Sequence, residues 1–167
     1  MKVVIAAAGT GGHINPGIAI ANKIKSEQPN SEIIFIGTDR GLENDLVPKA
    51  GYGIKHIGAY GVYRKPTIEN LKRLMKTIHS ISEAKTILKE FKPDVVIGTG
   101  GYVCGPILMA AALRNIPTLI QEQNVIAGIT NKILSRFVDI VAVGYNDAAK
   151  SFGKAKRVVY TGNPVRP

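Results

Sequence analysis

The chain has a single cysteine, few aromatics, few acids and no long apolar run, and each shortage closes off a class of function. One cysteine, Cys104, cannot form an internal disulfide, which fits a reducing cytoplasm. It is also a poor nucleophile candidate, because it lies inside the apolar stretch from Tyr102 to Leu113, where a thiol acts as a small buried hydrophobe. No apolar run approaches the ~18 residues of a membrane span. The six apolar residues after Met1-Lys2 are too few for a secretory core. With aromatics at 6% and no nucleic-acid-binding motif, nucleic acid is not an expected partner. His13, His56 and His79 lack ligand-like spacing and no Asp-x-Asp pair is present, so neither a metal nor another cofactor is expected. Acids are outnumbered, 12 against 22 Lys and Arg, which leaves a charge of +10. That excess suits a membrane surface or a phosphorylated substrate, or serves solubility alone.

The 167 residues are 45% hydrophobic, enough for one domain with a substantial core. Apolar runs at 3–8, 32–37, 54–58, 94–98, 117–121 and 139–144 alternate with helix-patterned segments, and Val158 to Tyr160 add a short final strand. The runs are continuous in Val and Ile rather than alternating, as expected when helices cover both faces of a sheet. The fold class is therefore α/β, a doubly wound parallel sheet.

Gly-Thr-Gly-Gly occurs twice, at Gly9-Thr10-Gly11-Gly12 and at Gly98-Thr99-Gly100-Gly101, each time after a strand-like run. The first copy leads into a helix-like segment beginning near Pro16, the second into Tyr102 to Leu113. Glycines at such turns allow positive φ and close approach of an anion to backbone amides, and open α/β sheets bind ligands at this edge. Tight packing is the other reason for glycine there. A pyridine-nucleotide fingerprint fails on spacing, since Ile14 stands where its third glycine belongs, and neither loop carries the Lys and Ser/Thr of a Walker motif.

His13 follows the first glycine run, where its imidazole would face whatever the loop binds and could take a proton from a sugar hydroxyl. Capping the loop backbone is the alternative. Gln121-Glu122-Gln123-Asn124 ends the strand Pro117 to Ile120 at the same sheet edge, followed by Gly128, Thr130 and Asn131. Asn and Gln both donate and accept, which suits sugar hydroxyls. Glu122 is a second base candidate, or a capping or salt-bridging group.

Four blocks together carry a resemblance: Gly9 to His13 with Pro16, Gly98 to Tyr102 with Gly105-Pro106, Glu122-Gln123-Asn124 with Gly128, Thr130 and Asn131, and Thr161-Gly162-Asn163-Pro164-Val165-Arg166. In this order they resemble the N-terminal domain of the peptidoglycan glycosyltransferases that add N-acetylglucosamine to lipid I. Gln121 departs from the histidine often found there in that family. The resemblance implies the Rossmann-like N-terminal half of a GT-B enzyme. Residues 1–161 would form the acceptor domain and 162–167 the start of an interdomain linker, with a C-terminal donor domain absent and the isolated domain inactive. It implies UDP-N-acetylglucosamine as donor, lipid I as acceptor and a peripheral place on the anionic cytoplasmic face of the bacterial membrane. Thr10, Gly11, Gly12, Asn124 and Arg166 would reach the donor. Both glycine runs, Gly9 to Gly12 and Gly98 to Gly101 with Tyr102, would cradle the acceptor diphosphate, and Gln123, Asn124, Thr130 and Asn131 the acceptor sugar. His13 would be the base, with Glu122 second. Two alternatives stay open on the sequence: a related lipid-directed enzyme with another acceptor, and a non-catalytic phosphosugar-binding module.

A membrane-facing surface is expected from Thr67 to Phe91, where apolar residues recur at helical spacing beside Lys72, Arg73, Lys76, Lys85 and Lys89. Much of that stripe must cover the sheet. The helix start and the loop Tyr60-Gly61-Val62-Tyr63-Arg64-Lys65 are the better candidates for contact with lipid.

Overall fold

The computed structural model describes residues 1–60 and 68–165, with the backbone alone over 68–74. Seven strands form one parallel sheet: β1 (Lys2–Ala7), β2 (Glu32–Gly37), β3 (Gly53–His56), β4 (Val95–Gly100), β5 (Thr118–Glu122), β6 (Ile140–Val143) and β7 (Val158–Tyr160). Their order is β3-β2-β1-β4-β5-β6-β7. The expected doubly wound sheet is present, with strands close to the positions read from the apolar runs.

Helices α1 (Gly11–Glu27) and α2 (Glu43–Lys49) cover one face, packing on a core of Val3, Ile5, Ile14, Ile18, Phe35 and Val47. The opposite face carries α3 (Ile68–Phe91), α4 (Cys104–Ala112), α5 (Ile129–Leu134) and a short 3-10 helix over Asn146–Phe152. There Val4, Ala6, Val96, Ile107, Leu108 and Ile120 form the larger cluster. Alternate residues of β1 thus feed opposite layers, which is why its sequence shows no polar alternation. Among the described side chains of α3, Ala84, Ile87 and Leu88 are buried, whereas Met75 and Ile78 are exposed.

Two local details correct the sequence reading. Helix α1 begins at Gly11, five residues before the expected start near Pro16, so Gly11, Gly12 and His13 make its first turn and Pro16 lies inside it. Close helix–strand contact falls to Gly17, where a Cβ would meet Ile5, Phe35 and Thr99 at 3.2 Å. Strand β4 runs through Gly100, so Gly98 and Thr99 belong to the sheet and not to a loop. Gly98 pairs with Ala6 on one side and Ile120 on the other, and a Cβ there would lie 2.6 Å from Leu108 Cδ1. That glycine is a packing requirement.

Candidate active site

The chain leaves β1 to the outer side of β2 and returns to β4 beside β1, so the strand order reverses between β1 and β4. Ligand crevices in open α/β sheets lie beyond the carboxyl ends of strands at such a switch point. Both glycine runs are there, one after β1 and one closing β4.

At the first run Gly9 takes φ +91°, a backbone state that favours glycine, and Thr10 is the N-cap of α1 in extended conformation. Thr10 makes no side-chain cap and no acid lies in the first turn of α1. Among the described residues the amides of Gly11 and Gly12 have no capping partner, at the positive end of a 17-residue helix. They open on a cleft of about 460 Å³ that Asn15, Gln123 and Asn163 also line. Gly9 differs from the notion of a free phosphate donor: its amide donates to Glu43 Oε2 at 2.9 Å.

His13 stands on the first turn of α1, with Nδ1 3.2 Å from the Ala8 carbonyl oxygen. A carbonyl only accepts, so Nδ1 carries a proton, and in the neutral ring the lone pair is on Nε2. Room for the ring comes from Gly100, at φ +129°, where a Cβ would fall 2.3 Å from His13 Cδ2. Gly101, at φ +89°, has the backbone of Ala8 2.4 Å from its Cβ position. The second glycine run is thus a close fit against the first turn and its histidine. The amides of Gly101 and Tyr102 make no hydrogen bond among the described residues, and Tyr102 is exposed.

A smaller pocket of about 150 Å³ brings together His13, Tyr102, Glu122, Asn124, Thr130 and Asn131, six positions singled out from the sequence. Glu122 is buried and its carboxylate is saturated. Oε1 accepts from the Asn124 amide at 3.0 Å and Asn124 Nδ2 at 2.9 Å, and Oε2 from the Gly128 amide at 3.1 Å and Asn131 Nδ2 at 2.9 Å. A carboxylate with its acceptor positions filled anchors a loop and has no lone pair left for a substrate proton. The four bonds fit the capping alternative for Glu122. Asn131 is spent on the same carboxylate and is buried, whereas Thr130 is exposed.

Gln123 points inward. Its Nε2 donates to the Thr99 carbonyl at 2.6 Å and to Gln121 Oε1, while Thr99 Oγ1 donates to the His13 carbonyl at 2.7 Å. The β1–β4 register slips between Ala6 and Ala7, leaving Thr99 as an extra residue on β4, and such bulges re-aim side chains next to active sites. Buried Gln121 donates to Asn163 Oδ1 at 3.3 Å, and Asn163 Nδ2 donates to the Gln123 carbonyl at 3.1 Å. The segment after β7 is thereby tied to the loop after β5. Gly144 makes space for this, since a Cβ there would overlap Asn163. Arg166, expected on the donor side, lies outside the described residues.

Sequence reasoning missed Glu43. It is fully buried and accepts from the Thr38 amide at 2.9 Å and the Thr38 hydroxyl at 2.8 Å as well as from Gly9. Burial works to raise its pKa, but the hydrogen bonds from Gly9 and Thr38 outweigh it and hold the carboxyl below its ordinary value. Cys104 is the opposite case. Burial pushes its thiol up to about 12, so it carries no thiolate at neutral pH and only bonds locally to Ala6 and Gly100.

Residues 3–143 match the model of one domain family, the glycosyltransferase family 28 N-terminal domain. The chain belongs to that family. Over 166 residues it is 55% identical to the UDP-N-acetylglucosamine--N-acetylmuramyl-(pentapeptide) pyrophosphoryl-undecaprenol N-acetylglucosamine transferase of Thermoanaerobacter sp. (strain X514), covering 99% of this chain and 46% of that one. A crystal structure of MurG from Acinetobacter baumannii superposes with a TM-score of 0.80 at 37% identity, over 98% of this chain and 46% of that one. The UDP-GlcNAc 2-epimerase of Neisseria meningitidis shares the fold alone, with a TM-score of 0.68 at 18% identity over 98% of this chain and 46% of that one. The chain thus spans just under half the length of these family 28 relatives.

Proposed function

We propose that the chain is the acceptor-binding half of an inverting GT-B glycosyltransferase that transfers N-acetylglucosamine from UDP-N-acetylglucosamine to lipid I, giving lipid II for peptidoglycan synthesis. Residues 1–161 form the domain and 162–167 begin the linker to a donor-binding half. The observation that carries the reading is His13, whose Nδ1 is bonded to Ala8, leaving Nε2 of the neutral ring with its lone pair, on a side chain that lines the smaller pocket. The relatives over 99% of this chain bear the name of that activity.

In the proposed reaction His13 Nε2 accepts the proton of the muramoyl 4-hydroxyl as its oxygen attacks the anomeric carbon of the donor. The bond from that carbon to the β-phosphate oxygen breaks from the opposite side and UDP leaves with the electron pair, inverting the centre. Gly11 and Gly12 line the cleft on the donor side, just after Thr10 as N-cap, where a diphosphate gains from the helix N-terminus. Gly101 and Tyr102 offer amides that are unbonded among the described residues to the acceptor diphosphate. Asn124 lines the smaller pocket with Thr130 and suits the hydroxyls of a sugar.

Labelled transfer tests this. The full-length protein is expected to convert lipid I and labelled UDP-N-acetylglucosamine to lipid II, and the 167-residue chain alone to give no product. Transfer by the chain alone overturns the domain division. Product from a diacylglycerol but not from lipid I overturns the acceptor.

A polyprenyl-linked acceptor requires approach to a bilayer, and among the described residues no helix is long and apolar enough to cross one. We propose peripheral attachment to the anionic cytoplasmic face through the start of α3 and the loop before it. Exposed Met75 and Ile78 support this, together with the net charge of +10. The loop residues Arg64 and Lys65 and the side chain of Lys72 lie outside the described residues. Each basic group near an anionic bilayer contributes about 1 kcal/mol, screened by salt. The chain is expected to co-sediment with anionic but not neutral vesicles, to be released by high salt, and to lose binding in the triple variant Arg64→Glu, Lys65→Glu, Lys72→Glu. Equal sedimentation with neutral vesicles sinks the idea.

A further inference from the structure

Among the described residues Glu43 is the one fully buried carboxylate that reaches the first glycine turn, and the fold is shaped to admit it. Gly37 and Gly41 both pack against it. A Cβ on Gly37 would lie 2.6 Å from Glu43 Cγ, and one on Gly41 would overlap Glu43 Oε2. Neither glycine has positive φ, so space for this side chain, and not backbone freedom, explains both. The carboxylate divides its work between two segments. Oε1 takes the amide and hydroxyl of Thr38 at the end of β2, and Oε2 takes the amide of Gly9 at the end of β1.

Only the Gly9 bond touches the ligand-facing turn. Gly9 sits at φ +91° with open space at its Cβ position, so the neighbouring atoms alone do not dictate the direction of its peptide. A hydrogen bond to a buried charge does, because turning the Gly9 amide outward would strand an ionised carboxylate with one partner fewer. With that peptide fixed, Thr10 adopts the extended N-cap conformation and Gly11 and Gly12 line the cleft.

We propose that Glu43 is a positioning residue for the nucleotide sugar, holding the Gly9 amide inward so that the next two amides are preset for the donor diphosphate. This rests on the proposed transferase reaction. Preset donors are worth more than donors that must reorganise as the ligand arrives.

Glu43→Gln separates positioning from packing. Glutamine has the same shape and keeps one oxygen for Thr38, but turns an NH₂ group against the Gly9 N–H. In the full-length protein this variant is expected to raise KM for UDP-N-acetylglucosamine roughly tenfold or more, the scale of one charge-assisted hydrogen bond, with KM for lipid I changed less than about twofold. Thr38→Val is the control. It removes a hydroxyl bond to the same carboxylate and leaves the Gly9 bond, so it is expected to lower stability without moving either KM. A rise in KM for the donor in Thr38→Val equal to that in Glu43→Gln overturns the proposal, as does a Glu43→Gln variant that loses kcat with both KM values unchanged. Should Glu43→Gln fail to fold, amide hydrogen exchange on the unaltered 167-residue chain decides: protection of Gly9 by roughly a hundredfold is expected, and an unprotected Gly9 amide overturns the proposal. Absence of any transfer by the unaltered full-length protein strikes the proposed reaction, whereas the exchange of Gly9 judges the clamp by itself.

Discussion

Replacing His13 with alanine in the full-length protein is expected to lower kcat by about 100-fold or more, the contribution of a well-placed general base. The expectation rests on tautomer and space. The Ala8 carbonyl fixes the proton on Nδ1, and Gly100 leaves no room for a Cβ where the ring packs, so the imidazole is held in one place with Nε2 available. Alanine removes the proposed base and also an interaction that orders the turn. His13→Asn separates these effects, because its Nδ2 can still donate to the Ala8 carbonyl while nothing replaces Nε2. It is expected to lose as much kcat as alanine while melting close to the unaltered protein. Asparagine retaining the rate within tenfold would demote His13 to a positioning residue, and a loss confined to KM would do the same.

The duplicated glycine run was readable in the sequence, as was its location at one edge of a parallel sheet, because apolar run, glycine and helix pattern follow one another in the chain. What each glycine does was not. Gly98 makes room for Leu108, Gly100 for the ring of His13 and Gly101 for the backbone of Ala8, and these neighbours come from other elements of the fold. Sequence adjacency suggested two equivalent phosphate loops. Packing makes them unequal, with the second built largely to receive the first. Similarly, Pro16 signalled a helix start, but a helix can carry proline in its interior at the loss of one hydrogen bond, and here α1 begins at Gly11. Glu43 escaped notice because a glutamate opening a short helix is ordinary. Its only sequence signal was the pair Gly37 and Gly41 just before it, which acquires meaning once the side chain is seen packed against both.

Glu122 was legible as a polar group at the right edge, while its role emerges only from the count of its partners. Four donors from a stretch of eight residues converge on it: the amides of Asn124 and Gly128 and the side chains of Asn124 and Asn131. Glu122→Ala leaves these donors without their acceptor, and hydrogen bonds to a buried charge contribute about 1.5–3 kcal/mol each. Water and rearrangement recover part, so a net loss of about 3 kcal/mol is expected, or roughly 6–12 °C in Tm at this chain length. Turnover should fall by about 100-fold or more as well, since Asn124 and Thr130 lose the loop that aims them into the pocket with His13. Glu122→Gln discriminates between anchor and base. An amide keeps one accepting oxygen but points its NH₂ at two donors, so an anchor loses stability and acceptor affinity together, seen as a lower Tm and a raised KM for lipid I. A base loses only kcat. A Glu122→Gln protein that melts like the unaltered one and binds lipid I normally, yet turns over 100-fold slower, would return the proton to Glu122 and remove it from His13.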